Sequence, residues 1–156
     1  MNESKKRGGR PRVGDVVSIA LDEAGTTAYA VVLEKSQFAF FDGRNASEID
    51  EVIRQAPMFY VSVMNSAVTT GRWPFVTARP ERVAALKAPP TFIQDPINPE
   101  KFQIYDAGIM RPATRAECSA LERTAVWDAE HVEDRIRDQY AGRENKWLLS
   151  LQIDAI

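Results

Sequence analysis

Residues 13–42 read VGDVVSIALDEAGTTAYAVVLEKSQFAFFD, and the alternation of apolar side chains in this stretch decides the fold. Apolar residues occupy every second position in its first two runs: Val17, Ile19 and Leu21, then Tyr29, Val31 and Leu33. Successive side chains of a strand point to opposite faces of a sheet, so each run predicts a strand with one buried face. The turn around Gly25 precedes two further strands, which form a hairpin about the break at residues 34–37.

Shorter extended segments follow this stretch. Residues 58–64 are apolar on both faces, which is typical of a central strand covered on each side. Further extended pieces surround Phe92 and residues 102–105. Two short helical segments interrupt the strands, one of them capped by Ser47 and the other beginning at Pro80.

Helical periodicity replaces this alternation in the C-terminal part of the chain. Thr114-Arg115-Ala116-Glu117 matches a capping box, in which the threonine hydroxyl and the glutamate carboxylate each accept a free backbone N–H. We therefore expect a helix over residues 115–127 that buries Cys118. A second helix over about residues 130–141, ending near Gly142, is predicted by apolar residues that recur every four positions: Val132, Ile136 and Tyr140.

These elements predict an α+β fold with a bent, mostly antiparallel sheet or partial barrel and two C-terminal helices packed on one side. Residues 147–153 alternate again and predict a last strand, whose open edge could pair two copies into a homodimer. The 156 residues, 44% of them hydrophobic, suit a single domain, which we place at residues 13–156. Residues 1–12 lack large apolar side chains after Met1 and predict a disordered basic leader.

Charge is distributed unevenly along the chain. The leader carries five cations against the single acid Glu3, a net of +4: Lys5, Lys6, Arg7, Arg10 and Arg12. Because the whole chain has a net charge of −2, the remaining residues carry −6. A folded body of that sign repels nucleic acid and attracts basic partners.

The sequence also indicates a compartment. No apolar run approaches the roughly 20 residues that a membrane-spanning helix requires, so we expect no membrane association. The N-terminal residues lack the apolar core of a signal peptide. Cys118 is the only cysteine, which excludes an intrachain disulfide and agrees with a reducing compartment. We therefore expect a cytoplasmic protein.

Few residues of this chain are suited to metal or nucleophilic chemistry. His131 is the only histidine and Cys118 the only cysteine, which excludes His-rich and thiolate metal sites. We interpret Cys118 as a buried core residue and His131 as a surface residue rather than as a catalytic pair. The glycines form no phosphate-binding pattern. The sequence therefore predicts a protein that is not an enzyme and that has no cofactor, although a hydrolase built on two carboxylates is an alternative.

A binding surface is the better hypothesis. Five acidic residues in and before the second predicted helix could present a negative patch to a basic target such as a nuclease: Asp128, Glu130, Glu133, Asp134 and Asp138. The same residues could also be an ordinary solvated helix face. Trp73 lies in a predicted loop beside Gly71 and Pro74, where it is either a buried plug or an exposed partner contact. We include Trp73 with the five acids as candidate partner-binding residues.

A DNA-associated regulatory protein is the alternative from another class. Gly9-Arg10-Pro11-Arg12 resembles the core of an AT-hook, whose arginines enter the narrow minor groove of A·T-rich DNA. A solubilising leader explains the same residues. The negative body makes nucleic-acid binding the less favoured interpretation.

The order of motifs resembles the immunity protein 26 family, the cytosolic antidotes of bacterial polymorphic toxin systems. The motifs that carry this resemblance run from Val13-Gly14-Asp15-Val16-Val17 through Tyr29-Ala30-Val31-Val32, Phe40-Phe41-Asp42, the Trp73 loop, Pro89-Pro90 and Arg111 ahead of Thr114-x-x-Glu117 to Leu121-Glu122, Val126-Trp127 and His131-Val132-Glu133-x-Arg135. They cover about residues 13–142. The resemblance implies a small protein that binds a cognate toxin and blocks it by occlusion, and it supplies no catalytic residues.

Overall fold

The computed structural model describes residues 9–154. Its strands are β1 (Asp15–Ala20), β2 (Thr27–Val32), β3 (Gln37–Asp42), β4 (Phe59–Val63), β5 (Phe75–Ala78), β6 (Thr91–Gln94), β7 (Phe102–Asp106), β8 (Ile109–Ala113), β9 (Glu122–Arg123) and β10 (Val126–Trp127). Its helices are α1 (Ile49–Val52), α2 (Ser66–Thr69), α3 (Arg115–Cys118), α4 (Ala129–Ala141) and α5 (Lys146–Ser150), with 3₁₀ turns at Glu34–Ser36 and Pro80–Ala85. Most of the predicted leader, residues 1–8, lies outside the described residues.

The strands divide between two sheets. The larger sheet has the order β10-β4-β3-β2-β1-β5, and the smaller has the order β8-β7-β6-β9. Neighbours are antiparallel except for two short parallel pairs, β10 with β4 and β9 with β6. The α+β class and the mostly antiparallel pairing are confirmed. The division into two sheets follows Pro89 and Pro90, because prolines cannot donate to a continuing ladder and β6 begins a new one.

Apolar clusters cover both faces of the larger sheet. The predicted inward face of the first run joins the cluster that lies under α4: Val17 and Ile19 of β1, with Leu21 just after it. Val31 and Leu33 of the next run join the opposite cluster, under α1 and the second 3₁₀ turn. A third cluster lines the smaller sheet around the buried Cys118. The alternation of residues 13–42 therefore distributes side chains between two layers of core.

The predicted helix over residues 115–127 is the clearest departure from expectation. The capping box between Thr114 and Glu117 is present, but the helix ends at Cys118. Residues 122–127 then form β9 and β10, which pair with different sheets. Their backbone groups find partners in existing ladders, and Val126 and Trp127 are residue types that favour strands, so tertiary pairing outweighs the local helical pattern. This segment connects the two sheets.

Residues 147–153 do not form the predicted strand. Helix α5 begins here because the side chain of Asn145 accepts a hydrogen bond from the backbone N–H of Leu148, which caps its first turn. Trp147, Leu148 and Leu151 all pack against the core cluster under α4, a spacing that suits a helix. The pairing of two copies through a strand edge at this segment therefore has no structural basis. Two C-terminal helices do pack on one face, and they are α4 and α5.

Of the two short helical segments predicted from sequence, one is confirmed and the cap of the other is wrong. The helical turn that begins at Pro80 is confirmed. The short helix α1 begins after Glu48 without a side-chain cap, so the prediction that Ser47 caps it is wrong by one residue. Among the described residues, no helix has the length and apolar character needed to cross a bilayer.

Candidate functional site

Helix α4 carries most of the predicted site, and its position is determined at both ends. Asp128 precedes it in extended conformation, and Gly142 ends it with a left-handed φ of 70°. Val132 and Ile136 are fully buried beneath the helix. Near its C-terminus, the Tyr140 hydroxyl donates to the carbonyl oxygen of Thr27 at 2.8 Å. Burial raises the pKa of Tyr140 to about 12, so this hydroxyl stays protonated at neutral pH.

Glu133 is a buried carboxylate at the centre of a hydrogen-bond network. Arg72 donates to its two carboxylate oxygens at 2.8 Å each, and the indole Nε1–H of Trp73 donates to Oε2 at 2.9 Å. Burial alone would raise the pKa of Glu133, but the hydrogen bonds from Arg72 and Trp73 outweigh burial and the pKa is lowered. The carboxylate is therefore charged and structurally engaged.

Trp73 is fully buried, which confirms that it plugs the loop after α2. Its ring meets Phe38 and Phe40 edge to face, with centroids 5.8 Å apart in both pairs. Glu133 is also buried, at 5% exposure. Neither side chain is exposed enough to contact a partner protein unless the structure rearranges. Any effect of these two residues on binding must therefore act through the position of α4.

The carboxylates of Asp134 and Asp138 accept hydrogen bonds from neighbouring side chains on the outer side of the helix. Asp134 accepts from Arg137 and from the indole N–H of Trp147, both at 2.9 Å. Asp138 accepts from Arg143 at 3.2 Å and from the side-chain amide of Asn145 at 3.0 Å. Since paired charges cancel at a distance, these two acids contribute less negative potential than the sequence suggests.

Asp128 and Glu130 are the exposed members of the predicted patch. They line a shallow pocket of about 320 Å³ at the start of α4, together with Arg72 and His131. Glu130 lies close enough to Arg72 to contribute to its raised pKa, after the larger contribution of the hydrogen bond to Glu133. The structure therefore places four of the five acids on α4 and Asp128 directly before it. Asp128 and Glu130 are exposed, whereas Asp134 and Asp138 are paired and only partly exposed.

Cys118 and His131 lie in different surroundings. Cys118 is buried in the cluster of the smaller sheet, and burial raises the pKa of its thiol. His131 lies on α4, where its ring stacks on Trp147 with centroids 3.6 Å apart. Within residues 9–154, no group of three His, Cys, Asp or Glu side chains is arranged to hold a metal ion.

Sequence reasoning missed a second concave surface. A groove of about 670 Å³ lies between α4, α5 and residues 119–123. Its apolar walls are leucines and an isoleucine: Leu121, Leu148, Leu149, Leu151 and Ile153. The apolar run at residues 147–153 is the sequence feature that indicates this groove. A strand at these positions, as the alternation predicts, does not form the groove, whereas helix α5 does.

A protein-family model, immunity protein 26, matches residues 12–103, more than half of the chain. The chain belongs to the immunity protein 26 family. The match covers β1 to β6 and the start of β7, so the larger sheet is the family's part of this structure apart from β10. No curated protein and no solved structure matches the chain.

The candidate binding residues of this immunity protein lie on both sides of residue 103, where the family match ends. Arg72 and Trp73 lie within the matched residues, whereas Glu133 and the rest of α4 lie beyond them. The resemblance noted from sequence extends to residue 142, and the family model supports it as far as residue 103. The family sheet and the C-terminal helix thus meet at the Arg72–Glu133 ion pair.

Proposed function

We propose that this immunity protein binds a cognate toxin of a bacterial polymorphic toxin system in the cytoplasm and neutralises it by occlusion, with no chemistry of its own. Membership of the immunity protein 26 family is the observation that carries the proposal. An immunity protein needs a surface complementary to its toxin, and affinity then comes from a few well-packed contacts.

The first turn of α4 supplies one part of that surface in this proposal. Asp128 and Glu130 project from it, and residues 13–156 carry a net charge of −6 when the +4 of residues 1–12 is removed from −2. A basic toxin surface, such as the phosphate-binding cleft of a nuclease, would be steered to such a site. Asp134 and Asp138 extend the surface along the helix, while Trp73 and Glu133 hold it in place from beneath.

The test begins with the genes beside this one, where the proposal predicts a toxin domain. That domain is expressed in a bacterial host with and without the immunity protein, and growth is measured together with the dissociation constant of the purified pair. We expect the immunity protein to restore growth and to bind stoichiometrically. Continued killing in the presence of soluble immunity protein, with no complex detected, would refute the proposal.

The charge contribution is tested with matched variants. Asp128→Asn with Glu130→Gln should slow association about tenfold at low salt, and the difference should shrink as salt is added. The control is Glu48→Gln with Glu51→Gln, which removes the same charge from exposed positions at α1, on the other face of the larger sheet. Equal slowing by both pairs would show that net charge acts without a site on α4.

A further inference from the structure

The groove between α4, α5 and residues 119–123 has the form of a binding site rather than of a packing defect. Its volume of about 670 Å³ falls in the range of roughly 300–1,000 Å³ that is typical of concave sites. Leu148 and Leu151 back onto the core of the larger sheet, and Leu121 and Ile153 back onto that of the smaller one. Leu149 is 43% exposed on its wall. The groove therefore opens where the two cores meet.

Four of the five charged side chains that line this groove are paired, and the fifth is the exposed Glu144. Arg135 forms a bidentate ion pair with Glu122, with hydrogen bonds of 3.1 and 2.7 Å. Arg143 pairs with Asp138 at 3.2 Å. Arg123 likewise pairs with Asp154, at 3.4 Å, and donates to the carbonyl oxygens of residues 151 and 152. An anionic occupant would lose its hydration here without meeting a free cation, and a cationic one would meet only the exposed Glu144. An apolar occupant would instead displace water from leucine side chains.

The groove is also held in a set shape. Arg135 is buried on its floor, and its guanidinium stacks over the Phe59 ring at 3.9 Å and lies 5.3 Å from the Trp127 ring. Those rings belong to the core of the larger sheet. Because the floor is fixed before binding, an occupant does not have to order it, which lowers the entropic cost of association.

We propose that this groove receives an uncharged, apolar segment of the cognate toxin, with large aliphatic or aromatic side chains seated against Leu148, Leu149 and Leu151. The proposal rests on the proposed function. Every residue that lines the groove lies beyond residue 103, where the family match ends. The groove therefore determines which toxin is recognised, while the family sheet supplies the scaffold.

The first experiment needs no toxin. A phage library of random 12-residue peptides is selected on the full-length protein, and the enriched peptides are measured against variants. We expect uncharged sequences rich in large apolar residues, with binding weakened at least tenfold by Leu149→Asp and by Ala120→Glu, which adds a charge at an exposed lining position. Met110→Asp, at an exposed residue of β8 outside the groove, is the control and should leave binding unchanged. Charged peptides, no enrichment, or equal loss in the control would overturn the proposal.

The second experiment separates this proposal from the proposed function. The same three variants are tested for protection against the neighbouring toxin domain and for binding to it. Loss of both in Leu149→Asp and Ala120→Glu, with both kept in Met110→Asp, supports the groove. If the wild-type protein and both groove variants protect equally, the groove proposal is wrong and the proposed function stands. If the wild-type protein does not protect, the proposed function fails and with it the toxin as occupant. Circular dichroism and the melting temperature verify that each variant is folded.

Discussion

The carboxylate of Glu133 joins two parts of the molecule through side chains that are far apart in sequence. It accepts from Arg72 and Trp73, which precede β5, and it belongs to α4. The indole N–H of Trp73 is buried with it. A buried donor that loses its acceptor costs about 1–3 kcal/mol, because water cannot replace the missing partner. The network therefore fixes the helix against the larger sheet.

Replacing the carboxylate of Glu133 should destabilise the fold by an amount that depends on how many of its hydrogen bonds the new side chain can still form. We expect Glu133→Ala to lower the free energy of unfolding by about 2–3 kcal/mol, since it leaves the Trp73 N–H unsatisfied. Glu133→Gln should cost about 1 kcal/mol, because its amide oxygen can still accept from the indole. Urea denaturation measures both. Glu130→Gln, at an exposed position on the same helix, is the control and should change stability by less than about 0.5 kcal/mol. Equal stability of the alanine variant and the control would contradict this role.

Glu133 also makes the stability of the fold depend on pH, in a direction that follows from its lowered pKa. The pKa of Glu133 is lowered from its ordinary value of 4.5, so the unfolded chain binds this proton more readily than the folded one. Its contribution to stability is therefore complete above about pH 5 and is lost as the pH falls through the lower, folded-state pKa. The stability difference between wild type and Glu133→Gln should stay constant above pH 5 and shrink towards pH 3. A difference that persists unchanged at pH 3 would show that the charge contributes nothing.

At the scale of elements, the exposed edge of β8 is protected by its own sequence. Ala107 and Gly108 have φ values of 52° and 89°, as a two-residue type I′ hairpin between β7 and β8 requires. The turn pairs Asp106 with Ile109, so alternate residues of β8 direct their backbone groups towards β7. Met110 and Pro112 direct theirs outward. Proline has no N–H, so this edge offers a neighbouring strand one donor fewer.

Restoring that donor should promote self-association. Ile109 and Met110 are 71% and 56% exposed on β8, so Pro112→Val would complete an apolar, hydrogen-bonding edge. We expect sedimentation velocity to show a concentration-dependent increase in mass for this variant. Pro96→Val, in the exposed loop between β6 and β7, is the matched control and should stay like wild type. Adding Met110→Lys should reverse the association. Unchanged sedimentation of Pro112→Val would show that Pro112 does not protect the edge.

Elements with strong local signals were predictable from sequence, and those that depend on distant pairing were not. Helix α4 has apolar residues at every fourth position and a glycine at its end, so its bounds were found almost to the residue. The capping box at Thr114 located the start of α3 but carries no information about its length. Its end depends on β9 and β10 joining two ladders, with partners such as Thr91 and Ser62 far away in the chain.

For the candidate site, too, the sequence predicted the local features but not the contacts between distant residues. The sequence placed four acids on one predicted helix and Asp128 just before it, because spacing along a helix is a local property. It could not show that Glu133 meets Arg72, a residue 61 positions earlier, or that Asp134 meets Trp147. These contacts decide which acids are open to a partner. The charge of the surface is therefore a property of the fold rather than of the helix alone.

Across the whole molecule, the C-terminal residues 145–154 hold the two sheets together. At one end, Trp147 stacks on His131 and donates to Asp134, both on α4 over the larger sheet. At the other end, the backbone N–H of Asp154 donates to Gln94 of β6 in the smaller sheet. The groove lies between these two attachments. Its shape therefore depends on how firmly this segment is held.

Arg123 is the main polar attachment of the segment's final residues. From β9 it donates to the carbonyl oxygens of Leu151 and Gln152, at 3.1 and 2.9 Å. Arg123→Met keeps the length of the side chain but removes both hydrogen bonds and the longer contacts to Asp154 and Gln94. The segment should therefore open locally while the cores stay intact. We expect hydrogen exchange of the backbone amides at residues 148–154 to accelerate about tenfold, which corresponds to about 1.4 kcal/mol.

The control is Arg44→Met, which breaks a similar ion pair with Asp42 near the C-terminus of α4, where Arg44 donates to the carbonyl oxygen of Tyr140 and forms no hydrogen bond or ion pair with residues 148–154. It should leave exchange at residues 148–154 unchanged. Faster exchange throughout the larger sheet of Arg123→Met would mean that the arginine supports the whole fold, and unchanged exchange would mean that apolar packing alone holds the segment. If the local opening is observed, the same variant should weaken binding at the groove, because α5 forms one of its walls and Arg123 borders it.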